Sequence, residues 1–259
     1  MEEEKKEKNP LMFLEEDSMK KPEKQKITNE AIELNDLKIL ENDYFLIGIY
    51  GNGSAYLKAS FFIEMKNSFK IKFVYKKSDS NKKILSAELY SFTLNNNINI
   101  LLLITKTDMI KSNTQFILDY LKNKNVTFKN MIVFDCIKSK NFYSKIKENN
   151  CYYLKSSKFE QNLTSNSLIL PLPNSIDSFS ASFLTYCEFY DLPCLVLISV
   201  FNEYDLGLDS IKSFESGVNK LEFLTGKIDK EYFKKNGIED QMIRSVFNEF
   251  NNVKKSYFS

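Results

Sequence analysis

Three apolar runs constrain this chain more than any other feature. They are Ile98–Thr105 (INILLLIT), Met131–Ile137 (MIVFDCI) and Cys194–Val200 (CLVLISV). Runs of this length without polar alternation read as strands covered on both faces. Helical patterns lie between them. One is predicted from Asp108 to about Lys122, with Ile110, Ile117, Tyr120 and Leu121 toward the core. Another follows Pro171 and Pro173, capped by Asp177 or Ser178, with Phe179, Phe183 and Cys187 recurring every four residues. Asp191-Leu192-Pro193 ends it. Strand and helix alternating in this way predict parallel βαβ units. The fold class expected is α/β: a three-layer α/β/α sandwich around a mostly parallel or mixed sheet.

The N-terminal portion reads as β-rich. Strands are predicted at Tyr44–Tyr50, Tyr56–Glu64, Phe69–Tyr75 and Ile84–Phe92, from their β-branched and aromatic content. Cys151–Leu154 reads as one more short strand. A last helix is predicted from Ile238 to Phe250, with Met242 and Val246 on its apolar stripe. Residues 1–26 are charged, carry Pro10 and Pro22, and read as a disordered tail. The expected organisation is that tail, a single domain over 27–250, and a flexible extension over 251–259.

Composition narrows the chemistry. Among 259 residues there is no histidine, so Ser-His-Asp and Cys-His catalysis and the commonest metal ligand are excluded. Arg244 is the only arginine, which disfavours guanidinium clamps on phosphate. Lys+Arg 36 against Asp+Glu 34 leaves +2, without a global pull toward nucleic acid or membrane. Cys136, Cys151, Cys187 and Cys194 form no CxxC pair; Cys187 and Cys194 read as small buried hydrophobes, in a reducing compartment. No apolar run is long enough to span a bilayer, and MEEEKKEKNP lacks a signal peptide's apolar stretch. The cytoplasm is the expected location, with the nucleus as a second one.

Local motifs carry bland and sharp readings. Gly48, Gly51 and Gly53 follow the first strand in a GxxGxG spacing, neither a dinucleotide fingerprint nor a P-loop. Asn52-Gly53 reads as a hairpin turn in preference to a phosphate cradle. Glu203, Asp205 and Asp209 form an acidic loop after a strand, where ligands of α/β sheets bind; capping of the next helix by Asp209 is the simpler account. Lys76-Lys77 and Lys82-Lys83 bracket a polar turn that reads as a solvated hairpin tip. The glycine turn and the acidic loop support one alternative function, a small-molecule enzyme acting on a nucleoside or phosphate ester.

The stretch Leu170–Phe214 resembles the proteasome assembly chaperone 1 family. The likeness rests on Ala181-Ser182, Leu184-Thr185-Tyr186-Cys187, and Leu192-Pro193 leading into an apolar strand. It continues through Glu203-Tyr204-Asp205, Asp209, Ser210 and Phe214. None of these residues is a catalytic motif. The resemblance implies a chaperone without cofactor or metal that promotes assembly of the 20S proteasome α-ring. It implies two partners: proteasome assembly chaperone 2, in a heterodimer, and the α-subunits. It also implies a docking tail. Tyr257, Phe258 and Ser259 end the chain where proteasome-binding proteins carry a hydrophobic–Tyr–any motif. Phe258 stands at the tyrosine position and Tyr257 at the hydrophobic one, so the ring is kept and the hydroxyl is lost.

Overall fold

The computed structural model describes residues 27–34, 39–66, 68–77, 83–94, 97–107, 111–144, 151–160, 168–176, 178–201, 213, 214 and 218. Its strands are β1 (Ile27–Glu33), β2 (Glu41–Gly48), β3 (Phe69–Lys77), β4 (Lys83–Thr93), β5 (Asn99–Thr105), β6 (Thr127–Lys138), β7 (Tyr152–Lys155), β8 (Leu168–Ile169) and β9 (Cys194–Phe201). Its helices are α1 (Asn52–Ser60), α2 (Phe62–Lys66), α3 (Lys111–Asn123) and α4 (Ser178–Phe189).

All these strands join one sheet in the order β1-β3-β4-β5-β2-β6-β9-β7-β8. The centre, β5-β2-β6-β9, is parallel and contains the three apolar runs. Antiparallel pairs flank it, β4 on β5 and β7 on β9. Register sorts the side chains by face. Phe45, Leu101, Met131 and Cys194 align across four strands and enter one core. Their successors Leu46, Leu102, Ile132 and Leu195 align and enter the other. All eight side chains are fully buried, which is why these strands show no polar alternation. Helix α1 covers the second of these cores, through Ala55, Tyr56 and Leu57. Helices α3 and α4 cover the first, through Ile117, Leu121, Phe179, Phe183 and Cys187. The fold is α/β with a mixed sheet and helices on both faces, as expected.

Two readings need correction. Tyr56–Glu64 is not a strand; α1 and α2 occupy it. Every residue from Asn52 to Leu57 is buried, so α1 lacks the polar face that makes a helical period visible. Asn52-Gly53 is correspondingly not a hairpin turn but the first turn of α1. Edge strand β1 had no strand pattern because ITNEAIE is too polar; charged residues suit a sheet edge. Lys76 and Lys83 are register partners at the end of the β3–β4 antiparallel pair, as a hairpin requires, while the turn between them, residues 78–82, lies outside the described residues. Residues 1–26, the helix over 238–250, the acidic loop and the C-terminal tail lie outside the described residues.

The end of α4 follows its sequence closely. Leu192 N–H donates to Cys187 O at 2.8 Å, and Asp191 turns the chain at φ 55. That conformation favours glycine. Its ion pair with Lys158, at 3.4 Å, is exposed and contributes little. Asp191→Gly should therefore raise stability by about 1 kcal/mol, read as a higher urea midpoint at unchanged slope.

Candidate functional site at the carboxyl edge of the parallel strands

The carboxyl ends of β5, β2, β6 and β9 share one edge of the sheet. The chain leaves β2 toward α1 on one face and leaves β5 toward α3 on the other. Open α/β sheets bind ligands at such an edge. Here the glycine turn is consumed by packing. Gly51 adopts φ 103, and Ser54 N–H donates to Ile49 O at 2.8 Å. The Ser54 hydroxyl bridges two carbonyls, 2.7 Å from Gly48 O and 2.9 Å from Thr105 O. Gly53 lies against β6 so closely that a Cβ would fall 2.0 Å from Phe134 O. Tyr56 then stacks on Phe134, with ring centroids 5.4 Å apart. Asn52 and Ser54 are fully buried, and the turn joins helix to sheet.

Beyond that turn, the structure brings together polar groups that sequence reading did not single out. Asp135 on β6 is buried; its carboxylate accepts from Ser180 Oγ at 2.5 Å and from Cys136 N–H at 2.7 Å. Ser180 lies in the first turn of α4, where the helix dipole favours an anion. Ser199 of β9 pairs with Ser213 at 3.0 Å between hydroxyl oxygens. Glu88 on β4 is 6% exposed and accepts from Lys70 Nζ at 2.6 Å, Lys106 Nζ at 2.9 Å and the Tyr90 hydroxyl at 3.0 Å. Burial pushes the Glu88 pKa up, but the Lys106 and Lys70 ammonium groups outweigh it and hold the carboxyl at about 2. A carboxylate inside a predicted strand is the available signal for both Asp135 and Glu88. Both are satisfied by protein donors, so they fix helices and strands to one another. No group of three or more histidine, cysteine, aspartate or glutamate side chains among the described residues is placed to hold a metal ion. No helix among them is long and apolar enough to cross a membrane.

A second candidate surface is aromatic. Phe189 and Tyr190, at the end of α4, are 79% and 50% exposed. Their rings meet edge-on at 5.0 Å, and Tyr190 also meets Tyr186 at 4.5 Å. Exposed aromatic rings held in place by one another suit a protein contact better than a small-molecule cleft. Of the residues named from sequence, Gly48, Gly51 and Gly53 meet at the α1 turn. Glu203, Asp205, Asp209, Tyr257, Phe258 and Ser259 lie outside the described residues.

No protein-family model matches the chain, and no curated protein matches it by sequence. Solved structures do. A protein of unknown function from Thermoplasma acidophilum matches over 83% of this chain and 87% of its own, with TM-score 0.59 and 14% identity. PbaB, an archaeal proteasome activator from Pyrococcus furiosus, matches over 82% of this chain and 98% of its own, with TM-score 0.56 and 12% identity. PbaA from the same organism, an archaeal homolog of proteasome-assembly chaperone, matches over 88% of this chain and 100% of its own, with TM-score 0.54 and 16% identity. At 12% to 16% identity the shared property is the fold: this chain has the α/β architecture found in those archaeal proteins.

Proposed function

We infer that this protein is a non-enzymatic chaperone for assembly of the 20S proteasome α-ring. The observation that carries the reading is a coincidence of two independent likenesses. The Leu170–Phe214 stretch resembles proteasome assembly chaperone 1, and the fold is that of an archaeal homolog of proteasome-assembly chaperone. The exposed aromatic end of α4 and the absence of histidine agree with binding in place of bond-making. The protein acts as a heterodimer with proteasome assembly chaperone 2, in the cytoplasm and nucleus, and needs no cofactor. The alternative is a small-molecule enzyme on the same scaffold; Gly53 packed against Phe134 O favours a structural role for the glycine turn.

The body supplies area and specificity, while Tyr257, Phe258 and Ser259 add a tethered contact between neighbouring α-subunits. The decisive experiment mixes the purified chain and its partner with recombinant α-subunits and follows ring formation on native gels. Faster or more complete rings support the reading; no association with any α-subunit, with or without the partner, sinks it. Deleting the last three residues should weaken capture of α-rings about tenfold, equivalent to about 1.4 kcal/mol, and leave pairing with the second chaperone intact. Unchanged capture in a titration sensitive to a twofold effect removes the tail assignment but not the chaperone.

A further inference from the structure

Two of the four cysteines meet where their sequence spacing gives no hint of it. Met131 on β6 and Cys194 on β9 are register partners with side chains in the same core. Cys187 reaches them from α4. Its thiol donates to Met131 Sδ at 3.6 Å, and the Cys194 thiol is hydrogen-bonded to Cys187 in turn. All three side chains are fully buried. Three sulfurs from three elements therefore converge in a core otherwise built of alkyl and aryl groups.

We propose that Met131, Cys187 and Cys194 form a three-sulfur site for a soft monovalent cation of the Cu(I) class. Thiolate and thioether ligands select such ions over Mg, Ca or Mn. Three sulfurs each about 2.3 Å from a shared ion stand about 4 Å apart, so the 3.6 Å pair needs to open by only a few tenths of an ångström. Binding exchanges one thiol proton for the cation. The ion then sits among one thiolate, one thiol and one thioether, with no net charge left in the core. No oxidant or reductant takes part.

The scaffold holds the ligands rigidly. Met131 N–H donates to Pro193 O at 2.9 Å, Leu192 N–H to Cys187 O at 2.8 Å, and Cys194 N–H to Ser156 Oγ at 2.8 Å. The connection Glu188–Pro193 joins Cys187 to Cys194, and Phe189, Tyr190 and Asp191 within it are exposed. This site is independent of the proteasome reading.

The test titrates Ag(I), a redox-inert stand-in, into the reduced full-length chain carrying Cys136→Ser, which removes the one half-exposed thiol among the cysteines. Native mass spectrometry reads stoichiometry, competition with a thioether chelator reads affinity, and thermal melting reads stabilisation of the fold. One ion per chain and a raised melting temperature are expected. Met131→Leu conserves volume and should fold; it should weaken binding at least tenfold. Cys187→Ala with Cys194→Ala should abolish it. Met131→Leu with parental affinity, the double variant retaining the ion, or no ion bound by the parent would each overturn the proposal. If the double variant does not fold, Met131→Leu decides alone.

Discussion

Gly53→Ala is expected to unfold the protein or to lower its stability by about 3 kcal/mol or more, at or above the upper range for overpacking. The new Cβ would stand 2.0 Å from Phe134 O and 2.7 Å from Phe134 C. Both are backbone atoms of β6, a strand held between β2 and β9. It cannot retreat without breaking two parallel ladders. Helix α1 must move instead, taking Ser54 off Gly48 O and Thr105 O and Tyr56 off Phe134. Gly51→Ala is the contrast. Its Cβ meets only the Cys136 side chain, at 3.3 Å, so it carries backbone strain at φ 103, about 1 to 3 kcal/mol. Urea unfolding of both variants checks the order. A Gly53→Ala protein within 1 kcal/mol of wild type would show that α1 does not seat on β6 this tightly.

Glu88→Gln is the second large effect. It leaves the Lys70 and Lys106 ammonium groups without their shared carboxylate, and the Lys106 side chain is only 11% exposed. Breaking a buried pair from one side costs about 3–5 kcal/mol. The same carboxylate shapes the acid limb of stability. Its folded pKa, about 2, lies below the ordinary 4.5. The unfolded chain therefore takes up the proton first as pH falls. The stabilisation is complete above pH 4.5 and is lost between pH 4.5 and about 2, an amount of roughly 3 kcal/mol. Unfolding free energies measured from pH 7 to pH 2 should fall less steeply in Glu88→Gln over that window. Parallel curves would assign the acid sensitivity to other carboxylates.

The first effect arises where the sequence pattern is least readable; the second lies in a strand read from Ile84–Phe92, with only the partners of Glu88 hidden. Ile98–Thr105, Met131–Ile137 and Cys194–Val200 announced themselves as buried strands because both faces are covered, and hydrophobicity there needs no period to be recognised. Helix α4 was equally plain, since Phe179, Phe183 and Cys187 form a stripe and Asp191-Leu192-Pro193 stops it. Helix α1 was not. Its first six residues are enclosed by sheet and core on every side, so amphipathicity vanished and the aromatic, β-prone composition pointed to a strand.

The candidate site divides in the same way. Gly48, Gly51 and Gly53 could be picked out from sequence, yet whether they faced a ligand or a strand depended on where β6 lies. Asp135 with Ser180 and Glu88 with Lys106 are pairs whose members are far apart in sequence and share no motif. Cys187 and Cys194 looked like two unrelated small hydrophobes; register with Met131 made them neighbours. The chain by itself determined its α/β class, its central strands and the exclusion of histidine chemistry, because these depend on residue type and local period. The tertiary structure alone decided what the glycines touch, which charges pair and which sulfurs meet, because those are distances between segments that no local pattern encodes.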